Sequence, residues 1–308
     1  LIKVIWNAMT GANDTASLIE EFQYPRLGPG MMWEKVRDLV RKDGGEVNMR
    51  SEVVGVNRDG TKVTSVDIRK WSEDGKPSEV ENVKGDHFVN SMAIRDLIHS
   101  FKPAPPQEVV DAANKLSYRD FLIVTLVLDH ADPFPDNWIY IHSPKVKVGR
   151  IQNFRAWSKE MLPDQNTASI GMEYFCQEGD GLWTMSDEEL RDLAGKELET
   201  LGLAGEKDVI DAAIIRQPKA YPVYDGIYRE ALDVIEKWLK TLDNFQTVGR
   251  NGLHRYNNQD HSMLSAMYAA RNIIQKDRYD IWDVNIERSY HEEMELKKTD
   301  VVNAVPAE

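Results

Sequence analysis

The residues best suited to chemistry lie towards the C-terminal end of the chain. Val248-Gly249-Arg250-Asn251-Gly252 falls between an expected strand and an expected long helix. Glycines in such a turn let the backbone approach a ligand, and the N-terminus of the next helix can hold an anion. Arg250 would add a fixed cation. An ordinary strand–helix turn has the same spacing. The run Asn257-Asn258-Gln259-Asp260-His261-Ser262 then places six polar residues directly before an apolar helix. A helix cap needs only one Asn, Asp or Ser. The surplus amides and hydroxyls suit a polar ring system with a hydroxylated chain, or else a solvated loop with a single cap.

Two further stretches invite a chemical reading. Tyr24-Pro25-Arg26-Leu27-Gly28-Pro29-Gly30-Met31 is a second glycine-rich loop opening a helix, without the Gly-Lys-Ser/Thr of a phosphate P-loop. Gly149-Arg150-Ile151-Gln152-Asn153-Phe154 sets one arginine at a strand start, with Phe154, Trp157 and Tyr174 nearby in sequence. An arginine beside aromatic rings suits an anionic or sugar-phosphate group, and equally a surface strand with a cross-strand ion pair. The histidines show no metal-site spacing, no Gly-x-Ser-x-Gly elbow occurs, and Cys176 reads as a buried apolar thiol. No metal is expected.

The elements that must position these residues follow from apolar spacing and turn signals. Residues 1–22 read as a helix, interrupted by Gly11-Ala12-Asn13-Asp14. A second helix runs from Met31 to about Lys42 and stops at Gly44-Gly45. Strands are expected at Glu46–Met49 with Val53–Val56, at Val63–Trp71 and at Asp86–Ser91, then a short helix over 92–100. The stretch Lys102-Pro103-Ala104-Pro105-Pro106 is the clearest internal boundary. Beyond it, Phe121–Leu128 is a continuous apolar run, expected to be buried on both faces. Further strands are expected at Trp138–His142, Gly149–Phe154, Ser169–Phe175 and Val209–Arg216, the last closed by a Pro218–Pro222 turn. The helix from Ser186 to Leu201 opens with a capping box and otherwise reads as a solvated face. Helices over Ile227–Leu239 and from about Asp260 to Ile274 complete an α+β chain of two interleaved domains.

Composition narrows the class. The 308 residues are 42% hydrophobic and 29% charged, as in ordinary globular proteins. A formal charge of -13 argues against a nucleic-acid partner. Mean hydropathy is -0.50, and no stretch approaches the ~18 apolar residues of a spanning helix, so no integral membrane segment is expected. One cysteine suits a cytoplasmic setting.

Taken together, Phe22-x-Tyr24-Pro25-x-x-Gly28-x-Gly30-Met31, Gly44-Gly45 and Val53-Val54-Gly55-Val56 resemble the middle of flavin-dependent amine oxidase-like and protoporphyrinogen oxidase-like proteins. Residues Val248 to Met263 are similar to that superfamily's C-terminal FAD-contact segment, in the version of UDP-galactopyranose mutase-like members. The resemblance covers roughly residues 18–285. It implies an FAD-binding α/β fold of the amine oxidase type interleaved with a mixed-sheet substrate domain. On that plan residues 1–21 are a helix of the substrate domain and 22–101 the second part of the FAD-binding domain. Residues 102–240 are the substrate domain, 241–285 the FAD-contact segment and 286–308 a tail. By the resemblance, Val53 and Val54 line the adenine end, and Gly249, Arg250, Asn251 and Gly252 approach the pyrophosphate and ribityl chain. Asp260, His261, Ser262 and Met263 sit at the flavin ring, while Tyr24, Arg150, Trp157, Tyr174 and Tyr224 face a small-molecule substrate.

One departure matters. Such proteins begin with a strand, Gly-x-Gly-x-x-Gly and a helix that holds the FAD pyrophosphate, and that motif does not occur in these residues. The expectation is an FAD enzyme whose N-terminal FAD-binding half is missing from this chain, so that the piece alone is inactive. An FAD-dependent oxidoreductase is the leading function. A sugar-nucleotide mutase with no net oxidation and a non-catalytic binding protein are the alternatives.

Overall fold

The computed structural model describes residues 23–276 and 279–285; the helix expected over 1–22 and the tail over 286–308 lie outside the described residues. The chain forms two compact units, one made of Leu1–Asn48 with Phe121–Arg216, the other of Met49–Asp120 with Gln217–Glu308. Proline-rich residues 102–106 lie inside the second unit.

The first unit contains helix α1 (Gly30–Lys42) and the larger part of a five-stranded sheet. Strands are numbered in chain order, β1 to β5 falling in the second unit. The sheet has the order β10-β6-β9-β8-β7, with β6 Tyr118–Leu128, β7 Trp138–Tyr140, β8 Arg150–Asn153, β9 Ala168–Cys176 and β10 Val209–Pro222. Along β6, Leu122, Val124, Leu126 and Leu128 are fully buried, while the residues between them are only half-buried. The expected two-sided burial is therefore one-sided. The buried leucines and Val124 share a core with Ile151, Ile170, Met172 and with Leu190, Ala194 and Leu198 of the covering helix Asp187–Thr200. That helix has the expected capping box: Ser186 Oγ accepts from the Glu189 N–H at 3.2 Å, and Glu189 Oε2 accepts from the Ser186 N–H at 2.8 Å. Its Glu197 faces inward instead of solvent and accepts from the Lys147 and Val148 amides and the Tyr174 hydroxyl.

The second unit is built on a sheet of order β3-β2-β1-β5, from β1 Ser51–Asp59, β2 Lys62–Trp71, β3 Pro77–Lys84 and β5 Phe101–Lys102. Residues 46–49 form no strand. Strand β3 is exposed along its whole length and carries no apolar alternation, which is why its sequence gives no strand signal. A second, parallel pair joins β4 (Phe88–Asn90) to β11 (Phe245–Thr247). Helices follow both strands: Ile94–Ser100 after β4, then a single turn Gly249–Gly252 and the long helix Gln259–Ile274 after β11. Helix Gln107–Lys115, which the sequence reading leaves unassigned, starts directly after Pro106. The strand expected to end at Arg216 continues to Pro222, so the anticipated proline turn is strand. The core gathers Val56, Val63, Ile94, Leu97, Ile98, Phe101, Ile235, Leu239, Leu253 and Ala269.

Candidate functional site

Parallel strands bind ligands beyond their carboxyl ends, and β4 and β11 bring Asn90-Ser91 and Val248-Gly249 to such an end. Gly249 has a φ of +82°, a conformation that glycine adopts without strain. A Cβ on Gly252 would lie 2.7 Å from Thr247 Oγ1 and 3.2 Å from the Asn90 carbonyl, so the turn packs on both strands only with glycine there. The buried Asn90 amide donates to Thr247 Oγ1, which in turn donates to the Gly252 carbonyl. These bonds tie the two strand ends and the turn into one rigid piece.

Arg250 is built into that piece. Its guanidinium donates to the carbonyls of Asn257 and Ala220 and to Asn258 Oδ1. Its Cζ lies 4.5 Å from the Tyr256 ring centroid and 5.4 Å from that of Tyr221. Asn257, fully buried, donates to the Gly249 carbonyl, and Asn285 donates to Asn257 Oδ1. Much of the polar run before the last helix thus holds the turn in shape. At the start of that helix the N-cap Asn258 makes no side-chain cap bond, and Asp260 is exposed while His261, Ser262 and Met263 are half-exposed. The positive end of the helix dipole is therefore not closed off by its own cap.

Val53 and Val54 lie on β1 in the same unit. Val53 pairs with Ile68 and Gly55 with Asp67, so Val54 is the extra residue of a β-bulge and sits outside the ladder with β2. Tyr224, expected to face substrate, is also in this unit. Its hydroxyl accepts from the Tyr256 N–H, and its ring lies 4.7 Å from Tyr228.

The other substrate candidates belong to the first unit. Arg150 donates to Glu173, a carboxylate only 1% exposed, and Gln152 donates to the other oxygen of the same carboxylate. Arg150 Cζ also lies 5.2 Å from the Trp138 ring and 5.8 Å from the Tyr140 ring. Trp138 meets Trp157 edge-on at 5.9 Å, and Trp157 stacks on Tyr24 at 4.9 Å. The Tyr24–Gly30 loop is held there by Ser158, whose hydroxyl donates to the Arg26 carbonyl, and by the Arg26–Glu160 ion pair. Partial burial raises the Tyr24 phenol above its usual range. Tyr24, Trp157, Trp138 and Tyr140 form one aromatic row over a neutralised Arg150. Tyr174 does not join it: the side chain is fully buried in the core, its hydroxyl on Glu197. The sequence reading misses Trp138 and Tyr140 as site residues, although two aromatics at i and i+2 of a short strand must share a face. No group of three or more His, Cys, Asp or Glu residues suited to a metal ion occurs among the described residues.

Comparison with known proteins adds the fold. Neither a protein-family model nor a curated protein matches the sequence. Among solved structures, the chain is similar to reduced UDP-galactopyranose mutase, with a TM-score of 0.70 and 16% identity over 90% of this chain and 58% of that one. It is also similar to a protein from Exiguobacterium sp. 255-15 assigned as a protoporphyrinogen oxidase, with a TM-score of 0.57 and 14% identity over 84% and 53%. A cofactor-binding redesign of putrescine oxidase follows, with a TM-score of 0.55 and 12% identity over 81% and 53%. The chain thus shares the α+β fold of these structures. It spans a little over half the length of these structures.

Proposed function

We propose that the chain is part of an FAD-dependent oxidoreductase in which a hydride or electron pair passes from a small organic substrate to the flavin. The observation that carries this reading is the glycine turn at the carboxyl ends of the parallel strands β4 and β11. Gly249 and Gly252 keep side chains out of the approach, and Arg250 keeps a positive charge whose hydrogen-bond acceptors are all neutral oxygens. These features fit an electron-rich cofactor with a phosphate-bearing tail. Bound FAD would supply the redox chemistry itself. The residues of this chain would hold it: the β1 bulge at Val53-Val54 near the adenine, residues 249–252 along the linking chain, and residues 260–263 at the ring. The helix N-terminus there favours negative charge developing on reduction. The aromatic row Tyr24, Trp157, Trp138 and Tyr140 with Arg150 would orient the substrate.

The pyrophosphate cradle has no counterpart in these residues, so the active enzyme requires a dinucleotide-binding half besides them. Helix α1 supports this. None of its residues is buried, and Met32, Trp33, Val36, Leu39 and Val40 each expose more than a third of their surface along one side. A cytoplasmic setting suits the single buried cysteine. The test is anaerobic bleaching of the flavin in the protein as it occurs in its cells, with amines, porphyrin-like and carotenoid-like compounds as candidate substrates. Loss of flavin absorbance with one class supports the reading; a flavin that none of them reduces while an artificial donor does argues against it.

The mutase-like fold match favours a second reading, a sugar-nucleotide mutase with no net oxidation, in which Arg150 and its aromatic neighbours hold the nucleotide sugar. Replacing Arg150 by alanine would then abolish nucleotide-sugar binding and leave FAD bound. Unaltered binding sinks this version.

A further inference from the structure

Directly opposed residues of an antiparallel strand pair share one face of the sheet. Tyr140 lies opposite Arg150 and Trp138 opposite Gln152, while Arg150 lies opposite Glu173 and Gln152 opposite Gly171. Tyr140, Arg150 and Glu173 therefore form one row across three strands of the first unit, and Trp138, Gln152 and Gly171 the next. A Cβ on Gly171 would lie 3.0 Å from the Phe154 ring, so that ring occupies the place a side chain would take. Residues of the other parity, Ile151, Ile170 and Met172, belong to the helix-covered core. On the shared face Trp138 and Tyr140 are exposed, whereas Glu173 is buried. A buried carboxylate is costly unless it is paired and hydrogen-bonded. Here each oxygen has its own donor, Arg150 Nε on Oε2 and Gln152 Nε2 on Oε1.

We propose that Glu173 determines substrate specificity, acting through Arg150: it selects an uncharged compound with a flat ring and turns anionic ones away. An anion that reaches Arg150 also meets the Glu173 charge, which is hydrogen-bonded to the guanidinium and too buried for water to screen. Attraction and repulsion then largely cancel. A cation fares no better, because the Arg150 guanidinium already lies against both rings, its Cζ 5.2 Å from the Trp138 centroid and 5.8 Å from that of Tyr140. An uncharged ring meets neither obstacle and can pack on the exposed parts of Trp138 and Tyr140. The proposal rests on the reading of this row as the substrate face of the oxidoreductase. It runs against the nucleotide-sugar reading, whose ligand is an anion.

The experiment is calorimetric titration of the whole protein at neutral pH with naphthol and with naphthalenesulfonate, flat probes of similar size that differ in charge. Wild type should bind naphthol at least about tenfold more tightly than the sulfonate, the worth of one hydrogen bond to a charged group. Trp138→Ala should weaken naphthol binding, which places the probe on this face. Glu173→Gln keeps the side-chain shape and leaves Arg150 uncompensated, so sulfonate affinity should rise about tenfold while naphthol affinity changes little. The double variant Glu173→Gln with Arg150→Gln removes both charges and should recover the wild-type preference; it replaces the single variant if that does not fold. The proposal is overturned by a wild type that binds neither probe or binds the sulfonate as tightly as naphthol, and by naphthol binding that Trp138→Ala leaves intact. A sulfonate affinity that Glu173→Gln leaves unchanged, or a double variant that prefers the sulfonate, overturns it too. None of these readouts involves the flavin, so a failed charge preference is told apart from a failed oxidoreductase reading, which anaerobic bleaching reports separately.

Discussion

Arg250 in the second unit and Arg150 in the first are both guanidinium groups laid against aromatic rings, yet they are neutralised in opposite ways. Arg250 donates only to neutral oxygens, so its positive charge persists beside the glycine turn. Arg150 donates to the buried carboxylate of Glu173, so its charge is cancelled and the Trp138 and Tyr140 rings dominate what is presented. The difference separates two tasks. On the proposed reading, one surface would retain charge for an anionic group and the other would offer flat rings to a substrate.

The largest effect should come from breaking the Arg150–Glu173 pair. Glu173→Ala leaves a half-buried guanidinium without its counter-charge, and stability should fall by about 3–5 kcal/mol in a urea melt. Glu173→Gln should lose less, because the amide oxygen still accepts from Gln152. The same substitution at an exposed ion pair is the control described last.

The second unit is expected to be pH-sensitive through His254, which is buried. Its folded pKa, about 4, lies below the ordinary 6.5 of an unfolded histidine. The unfolded chain therefore binds a proton first, and stability drains away as pH falls from about 6.5 to 4, by roughly 3 kcal/mol. Melts of wild type and His254→Gln across that window should diverge on the acidic side. Parallel curves would show that the ring is not buried as described.

A smaller loss is expected at Gly252. Its replacement by alanine forces a methyl against Thr247 Oγ1 and the Asn90 carbonyl and should cost about 1–3 kcal/mol by calorimetry. The smallest effect belongs to the Arg26–Glu160 pair, where both side chains are more than half exposed. Glu160→Gln should change stability by less than about 1 kcal/mol and lose even that at high salt.

The sequence made some of this visible and hid the rest for physical reasons. The capping box at Ser186, the glycine turn at 249–252 and the helix that follows were legible because local backbone chemistry dictates them. Strand β3 was hidden, since its order comes from pairing with β2 and no residue of it is buried. Aromatic neighbourhood points to Arg150 and Trp157, and the family resemblance adds Tyr24; the fold brings all three onto one row. Tyr174 was picked by the same argument, but the alternation of β9 points it into the core, a parity that an uncertain strand register cannot fix. The Tyr118–His254 contact joins residues far apart in sequence and leaves no local trace.

The most direct test of the central claim is the absorption spectrum of the protein as it occurs in its cells, compared with its Gly249→Val variant. The account predicts a flavin spectrum, FAD released on denaturation, and loss of that FAD in a variant whose circular dichroism still shows a folded chain. A colourless native protein, or a Gly249→Val variant that is folded and retains full FAD, would contradict it.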